Sequence, residues 1–200
     1  MINSEFKGLT AIITGAGSGI GLEVAKGLSA RGAIVFGFDL NEGDMAPFAS
    51  FIKCDIGDAQ SVTQAFAEFS KKSGQLDILI NNAGIGSLTT VENETDEIWH
   101  KVLNVNVVGT ARMSRAAIPL LRKSKNPAIV NTASIAGTDG IPNRAAYSAS
   151  KGAVLALTLA MATDHLKDGI RVNAVNPATA DTPWVKRLLE LSDNAASARA

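Results

Sequence analysis

Short apolar segments alternate with longer amphipathic segments along the chain. The short segments are rich in Ile and Val and almost continuously apolar, as expected for parallel strands that are covered on both faces. They are Leu9–Thr14, Ala33–Phe38, Phe51–Cys54, Leu76–Asn81, Ala128–Thr132 and Ile170–Val175. The amphipathic segments predict helices over Ile20–Arg31, Ala59–Lys72, Asp96–Lys123 and Ala145–Lys167. This alternation predicts an α/β fold with a doubly wound parallel sheet in a three-layer α/β/α arrangement.

Residues with strong local preferences mark the ends of several predicted helices. Asp58 and Thr95 are suitable N-caps, because their side-chain oxygens can accept hydrogen bonds from free helix N–H groups. Gly32 and Gly169 follow two helices, where a left-handed residue commonly ends the helix. The segment Asn41–Ser50 is short for a connection between parallel strands, so we expect a turn there instead of a full helix. No linker or repeat divides the sequence, and we expect a single domain over its 200 residues.

The composition excludes several classes of partner. Lys plus Arg and Asp plus Glu each number 19, and this balance argues against nucleic acid or an anionic membrane. The only cysteine, Cys54, cannot form an internal disulfide, which is typical of a reducing compartment. The N-terminus lacks an apolar signal segment, and the longest apolar stretch, Gly152–Ala162, is too short to span a bilayer. We therefore expect a cytoplasmic protein. His100 and His165 lack partners at metal-ligand spacing, so no metal site is expected.

A glycine-rich turn, Gly15–Gly21, stands between the first predicted strand and the first predicted helix. Glycines allow the chain to turn sharply and the backbone to approach a pyrophosphate. The following helix N-terminus then offers free N–H groups and the positive end of its dipole. Because the turn lies between a strand and a helix, it predicts a dinucleotide-binding site.

A carboxylate, Asp39, follows the second predicted strand. In this kind of fold a carboxylate at that position accepts hydrogen bonds from the adenosine ribose hydroxyls and repels a 2′-phosphate. The glycine-rich turn contains no Lys or Arg that would offset the repulsion. The sequence therefore predicts NAD as the cofactor in preference to NADP.

Five ordered motifs resemble the short-chain dehydrogenase/reductase family. They are Thr14-Gly15-x-x-x-Gly19-x-Gly21, Asn81-Asn82-Ala83-Gly84, a helix asparagine at Asn106, a serine after the fifth strand at Ser134, and Tyr147-x-x-x-Lys151. The spacing between Ser134 and Tyr147 also fits the family. The resemblance extends along the whole chain and implies a nicotinamide-dependent oxidoreductase.

The resemblance also implies roles for individual residues. Those that would line the pyrophosphate are Gly15, Ser18, Gly19, Ile20 and Gly21. Asp55 and Ile56 would border the adenine. Residues expected along the cofactor toward the nicotinamide are Asn82, Ala83, Gly84, Tyr147 and Lys151, with Pro177 and Thr182 near the carboxamide. The catalytic set would be Asn106, Ser134, Tyr147 and Lys151.

Tyr147 and Lys151 lie one helical turn apart, so both side chains project from one helix face. Oxidising an alcohol requires a base for the hydroxyl proton. A free Tyr has a pKa of about 10, and lowering it by about 3 units takes roughly 4 kcal/mol. We expect the Lys151 ammonium and the positive nicotinamide of NAD⁺ to provide this stabilisation. By the resemblance, Ser134 would hold the substrate oxygen and Asn106 would hold a water that links Lys151 to solvent.

The residues before Tyr147 suggest a carboxylated substrate. Asn143 and Arg144 lie close to it in sequence, and an arginine near the reacting oxygen suits a carboxylate through two parallel hydrogen bonds. Arg187 would provide a second contact, and Trp184 would either cover the pocket or pack beneath its loop. This part of the chain resembles the branch that contains type-2 3-hydroxybutyrate and 2-keto-3-deoxy sugar-acid dehydrogenases.

Two alternatives to a hydroxy-acid dehydrogenase remain open. A 3-oxoacyl-thioester reductase would prefer NADPH, against which Asp39 argues. A cofactor-binding protein without turnover would not need the intact Ser134, Tyr147 and Lys151. The resemblance has two departures. Ala178 replaces the glycine that usually follows the proline, and the chain stops before the family's last strand, so it is expected to be truncated. We also expect a homodimer or homotetramer formed through the long helices Asp96–Lys123 and Ala145–Lys167.

Overall fold

The computed structural model of the protein describes residues 4–181. Six parallel strands form one sheet in the order β3-β2-β1-β4-β5-β6. The strands are β1 Thr10–Thr14, β2 Ile34–Asp39, β3 Ser50–Lys53, β4 Ile78–Asn81, β5 Ala128–Thr132 and β6 Arg171–Val175. This is the doubly wound order of dinucleotide-binding folds, and it confirms the predicted fold class. The order reverses between β1 and β4, and such folds bind ligands at that point, outside the carboxyl ends of the strands.

Helices connect most of the strands. They are α1 Gly19–Ala30, α2 Ala59–Lys72, α3 Asp96–Leu103, α4 Thr110–Leu121 and α5 Ala145–Asp164. A π-helical turn, Asn104–Gly109, joins α3 to α4, and a short 3₁₀ turn, Ile135–Gly137, follows β5. The connection between β2 and β3 contains only turns, as its length predicted.

The core lies on both faces of the sheet. Successive residues of a strand point to opposite faces, so Ile12 belongs to one apolar cluster and Ile13 to the other. The first cluster includes Phe36 and Phe69, whose rings meet edge to face with centroids 4.9 Å apart. Burial on both sides explains why the strands are almost continuously apolar.

The predicted helix Asp96–Lys123 is helical as far as Leu121, but a π-helical turn replaces the α-helix in its middle. The side chain of Asn106 is bonded to both backbone groups of Ile85, accepting from its N at 2.8 Å and donating to its O at 2.8 Å. The helix widens into its π turn at this residue, a form that is often found at functional sites.

The other predicted boundaries differ by a few residues. Helix α5 ends at Asp164, three residues before the predicted end, because the chain turns at His165 toward β6. The predicted caps are confirmed: Asp58 accepts from the N–H of Gln60, and Thr95 accepts from that of Ile98. Gly32 follows the C-cap of α1 and has a φ of 93°, as predicted for a glycine that ends a helix. Gly169 also has a positive φ, 71°, but it lies beyond His165, the C-cap of α5.

Helix α5 is long and apolar enough to cross a membrane by length and composition. It nevertheless lies against the sheet and buries Ser150, Lys151 and Thr158 along one side. Such a helix is typical of the layer that covers a parallel sheet, so its length and composition are weak evidence for a membrane span.

Candidate active site

The glycine-rich turn lies at the carboxyl end of β1, beside the reversal of strand order. Gly15 has a φ of 67°, and its N–H donates to the carbonyl of Phe38 at 2.8 Å. Helix α1 begins so close to the turn that a Cβ on Gly21 would lie 2.1 Å from the carbonyl oxygen of Gly15. Ser18, the N-cap, makes no side-chain capping bond, and the first helix N–H groups have no intrahelical acceptor. These N–H groups suit a pyrophosphate, because an anion can accept hydrogen bonds from the free N–H groups at a helix N-terminus.

Asp39 ends β2 and is bonded to the glycine-rich turn. Its Oδ2 accepts from the N–H of Gly17 at 2.9 Å, and its Oδ1 accepts from the N–H of Leu40 at 2.7 Å. Each carboxylate oxygen retains capacity for another donor. The structure thus places this negative charge beside the turn, as the prediction of ribose recognition requires.

The connection after β2 closes onto the same turn. Asp44 donates its N–H to the carbonyl of Gly17 at 3.0 Å. At Gly43, φ is 54° and an added Cβ would lie 2.2 Å from that same carbonyl oxygen. The connection therefore requires glycine at this position, and its shortness brings it against the phosphate-binding turn.

The end of β4 is joined to the end of β1 by Thr14. Its hydroxyl accepts from the N–H groups of Asn82 and Ala83 at 2.9 and 3.0 Å. The Asn82 amide donates in return to the carbonyls of Thr14 and Gly15 at 3.1 and 3.3 Å. Asn82 therefore supports the glycine-rich turn. A Cβ added to Gly84 would lie 3.6 Å from Lys151 Nζ. Thr14 opens the first sequence motif, but its bonding function was not predicted.

Asp55 and Ile56 follow β3 at the same edge of the sheet. Asp55 is exposed and its Oδ1 accepts from the N–H of Gly57 at 2.8 Å, which stabilises a tight turn. Ile56 is buried and contacts the π turn, where an added Cβ on Gly109 would lie 3.0 Å from its side chain. The turn follows β3, and β2 separates β3 from β1 and its glycine-rich turn. This position fits the predicted border of the adenine site.

Ser134, Tyr147 and Lys151 are brought together by β5 and the first turns of α5. The Ser134 side chain lies close enough to the Tyr147 phenol to lower its pKa through a hydrogen bond. The Lys151 Nζ lies 5.7 Å from the centroid of the Tyr147 ring. Ser134 from the end of β5 and Lys151 from the next turn of α5 therefore lie beside one phenol, in the arrangement that acid–base chemistry at an alcohol or ketone needs.

Lys151 is buried, with 5% of its surface exposed. Its Nζ donates to the carbonyl of Thr132 at 2.6 Å. Desolvation lowers the pKa of Lys151 from 10.5 to about 8. Backbone carbonyls leave no trace in a side-chain pattern, so the sequence could not identify Thr132 as this partner.

The pKa of Tyr147 differs from the expectation. Burial raises it above the ordinary value, and the hydrogen bond with Ser134 and the charge of Arg144 oppose this only in part. Lys151 was expected to lower the pKa, but its ammonium is turned to the Thr132 carbonyl. Among the effects that the protein itself exerts on the pKa of Tyr147, desolvation of the phenol is the largest.

Asn106 connects the π turn to both sides of the site. In addition to its bonds with Ile85, its Nδ2 donates to Ser150 Oγ at 2.9 Å. Ser150 Oγ donates to the carbonyl of Tyr147 at 2.7 Å. Asn106 thus joins Ile85 to the start of α5 through hydrogen bonds that the sequence did not predict. Ser150 was missed although it lies inside the Tyr-x-x-x-Lys motif.

Arg144 precedes Tyr147 and lies partly buried beside it. Its Nη1 donates to the carbonyl of Ser87 at 3.2 Å, and no carboxylate pairs with it within residues 4–181. Burial lowers the pKa of the guanidinium from its ordinary value. Asn143 is exposed with a φ of 57°.

The last loop of the predicted site is described only at its start. The carbonyl of Pro177 accepts from the N–H of Ile135 at 3.2 Å, which fastens the loop after β6 to the turn after β5. Thr182, Trp184 and Arg187 lie outside the described residues. No group of three His, Cys, Asp or Glu side chains with metal-binding geometry occurs in the described part of the chain.

Comparison with known proteins gives one consistent family. The family model for short chain dehydrogenase matches residues 9–192. A 3beta-hydroxysteroid dehydrogenase from Mediterraneibacter gnavus is 39% identical, over 93% of this chain and 71% of its own length. The solved structure of an aldohexose dehydrogenase from Thermoplasma acidophilum matches with a TM-score of 0.90 and 34% identity, over 95% of this chain and 74% of that one.

A second solved structure carries a bound nicotinamide cofactor. It is a 3-ketoacyl-(acyl-carrier-protein) reductase from Brucella melitensis in complex with NADH, which matches with a TM-score of 0.84 and 35% identity, over 91% of this chain and 80% of that one. The family model covers nearly the whole chain, and the geometry around Tyr147 agrees with it. The protein therefore belongs to the short-chain dehydrogenase/reductase family, the nicotinamide-dependent oxidoreductases that act on alcohols and ketones.

Proposed function

We propose that the protein is an NAD-dependent dehydrogenase of a small secondary alcohol that carries a carboxylate. The observation that carries this proposal is the placement of Ser134 and the buried Lys151 beside the Tyr147 phenol, with Lys151 Nζ 5.7 Å from the ring centroid. Asp39 and Arg144 supply the finer parts of the proposal, which are the cofactor and the substrate class.

The protein's residues handle the oxygen and its proton. The Ser134 hydroxyl and the Tyr147 phenol converge on one point, where the substrate oxygen would accept and donate a hydrogen bond. In the direction of oxidation, Tyr147 takes the hydroxyl proton as the hydride leaves carbon. NAD⁺, when bound, accepts that hydride and adds a positive charge near the phenol.

Lys151 favours this proton transfer in spite of its bond to Thr132. Its low pKa of about 8 means that the ammonium can release a proton near neutral pH. We propose that a proton from Tyr147 passes through Lys151 to solvent. Because burial by itself raises the pKa of Tyr147, we propose that the cofactor's charge provides the lowering that the uncomplexed chain does not.

Asp39 supports NAD as the cofactor. Its carboxylate is held beside Gly17 by a hydrogen bond of 2.9 Å, and it would lie close to a 2′-phosphate. No Lys or Arg occurs in Gly15–Gly21 to compensate. Calorimetric titration with NADH and NADPH tests the assignment directly. Binding of NADPH as tight as that of NADH, or tighter, would contradict it.

Arg144 supports a carboxylated substrate. The guanidinium lies beside Tyr147, and among residues 4–181 its hydrogen-bond partner is one backbone carbonyl, so donors remain for a planar anion. Arg144→Ala should raise KM mainly for hydroxy acids. An equal rise for uncharged alcohols would remove the carboxylate proposal and leave the dehydrogenase intact.

A 3-oxoacyl-thioester reductase is the second candidate, because one structural relative is a 3-ketoacyl reductase. That relative was solved with NADH, so the cofactor alone does not separate the two functions. A panel of hydroxy acids and 3-oxoacyl thioesters does. Exclusive activity on the thioesters would favour the second candidate.

The decisive experiment compares wild type with Tyr147→Phe on this panel. The variant should still bind NADH and should lose turnover by about a hundredfold to ten-thousandfold, the range of general acid–base catalysis. Full activity of Tyr147→Phe would show that the mechanism is wrong. Wild type that binds NADH but turns over no member of a broad panel would favour a cofactor-binding protein without turnover.

Self-association and location are also proposals. We infer a homodimer or homotetramer that pairs through the outer faces of α4 and α5. An apolar groove between these helices is lined by Ala111, Ile118, Pro119, Leu157 and Met161, and Leu159 lies exposed on α5. The buried free thiol of Cys54 is consistent with the cytoplasmic location that the composition predicted.

A further inference from the structure

Arg112 lies partly buried on α4 and is bonded to the π turn and to the adenine-side turn after β3. Its Nη1 donates to the carbonyl of Ile56 at 3.2 Å and to that of Asn104 at 3.4 Å, and its Nη2 donates to Asn104 Oδ1 at 2.8 Å. No carboxylate pairs with it in the described chain, residues 4–181. Partial burial of a cationic side chain costs free energy, and the hydrogen bonds to these neutral acceptors offset that cost.

Asn104 completes the connection. Its Nδ2 donates to the carbonyl of Gly57 at 2.9 Å, while its Oδ1 accepts from Arg112. The side chain thus joins two segments that are 47 residues apart in sequence. With Arg112 it holds the consecutive carbonyls of Ile56 and Gly57, which belong to the turn that borders the adenine site.

The two segments also touch through their backbones. A Cβ on Gly109 would lie 3.0 Å from the side chain of Ile56 and 3.1 Å from its carbonyl oxygen. The adenine-side turn therefore has little room to move while the π turn keeps its form. The π turn in turn carries Asn106, which is bonded to Ile85 and Ser150 at the nicotinamide side.

We propose that Arg112 and Asn104 are positioning residues that hold the adenine-side turn, Asp55–Asp58, against the π turn in the geometry that receives the cofactor. The inference rests on the proposed cofactor function. Neither residue is expected to touch the cofactor or the reacting atoms. Their effect reaches the ligand through the backbone of Ile56 and Gly57.

The test uses binding of NADH and of reduced nicotinamide mononucleotide, which lacks the adenosine half. Arg112→Leu should weaken NADH binding about tenfold, the effect of losing charge-assisted hydrogen bonds, and leave binding of the mononucleotide within about twofold. Arg112→Lys should fall between wild type and Arg112→Leu, because one ammonium can reach only part of the acceptor set. Arg31→Leu is the matched control, since it removes an exposed arginine that donates to a helix carbonyl, Gly27 O, at 2.9 Å.

Asn104→Asp tests the bond to Gly57 separately from the bond to Arg112. It is a second, nearly isosteric variant in case Arg112→Leu does not fold. The carboxylate still accepts from Arg112 but cannot donate to Gly57, so NADH binding should weaken with little loss of thermal stability. If NADH binding stays within twofold of wild type in Arg112→Leu and Asn104→Asp, the inference is wrong. Equal weakening of NADH and mononucleotide binding would also overturn it, because that pattern indicates a general loosening of the fold.

These results are distinguishable from failure of the proposed function. If wild type prefers NADPH, the same comparison is made with NADPH. The inference is then tested by the same comparison of dinucleotide with mononucleotide binding, whereas the NAD assignment is wrong. If wild type binds no dinucleotide, both the proposed function and this inference fail.

Discussion

The amide of Asn106 donates a hydrogen bond of 2.9 Å to the hydroxyl of Ser150, across 44 residues of sequence. Both side chains are almost fully buried, with 1% of Asn106 and none of Ser150 exposed. Ser150 Oγ then donates to the carbonyl of Tyr147. The relationship fixes the start of α5, which carries Tyr147, relative to the π turn.

Ser150→Ala should lower kcat about tenfold, because the buried Asn106 amide loses a partner and the backbone at Tyr147 loses a donor. Binding of NADH should stay within about twofold, since Ser150 is not expected to touch the cofactor. Ser148→Ala is the matched control: this neighbouring hydroxyl is buried and has no hydrogen-bond partner among residues 4–181. Steady-state kinetics on the best substrate measure both variants, and equal kcat values for wild type and Ser150→Ala would refute the positioning function.

Because of Lys151, the free energy of unfolding should depend on pH in the alkaline range. Its pKa is about 8 in the folded protein and 10.5 ordinarily, so the unfolded chain binds more protons between these values. The burial penalty is fully present below pH 8 and is relieved as pH rises toward 10.5. Lys151→Met should therefore raise the free energy of unfolding by about 2 kcal/mol at pH 7, after the lost bond to Thr132 is allowed for.

This gain should shrink toward zero near pH 10. Urea unfolding at pH 7 and pH 10 measures it for wild type and variant. Lys101→Met, which removes an exposed lysine of α3, controls for the loss of one positive charge. A gain that is the same at both pH values would show that the desolvation of Lys151 is not its cause.

Gly43→Ala should destabilise the fold and weaken NADH binding together. The added methyl would lie 2.2 Å from the carbonyl oxygen of Gly17, at a φ of 54° that disfavours alanine. We expect a loss of about 2–4 kcal/mol in the free energy of unfolding, by analogy with overpacking and backbone strain. Gly74→Ala has nothing within 4 Å of its added Cβ and should be nearly neutral. Similar unfolding curves for the two variants would mean that the connection after β2 is free to move away from the glycine-rich turn.

Leu159→Arg should shift the protein toward monomer if copies pair through α4 and α5. Leu159 is 72% exposed on α5, and a charged group there would lose its hydration in a helix–helix interface. Val91→Arg changes a residue that is 73% exposed in the loop after β4, and it should leave assembly unchanged. Light scattering at several concentrations decides the matter. A wild type that is monomeric throughout would end the proposal of self-association.

The fold class followed from the sequence because parallel strands covered on both faces are continuously apolar and alternate with amphipathic helices. The glycine-rich turn and Asp39 were predicted from backbone freedom and charge at the ends of two strands. Ser134, Tyr147 and Lys151 were predicted because their motifs and spacing resemble the short-chain dehydrogenase/reductase family.

Only the tertiary structure decided how these residues bear on one another. The break of the predicted helix at Asn106 depends on bonds to Ile85 and Ser150, which are remote in sequence. The orientation of Lys151 depends on a backbone carbonyl of Thr132, and the raised pKa of Tyr147 depends on burial. Arg112 and Asn104 gained a function only when the structure brought α4 against the turn after β3. Sequence patterns report the local demands of backbone and chemistry, whereas hydrogen bonds across the fold and desolvation exist only once the elements have packed.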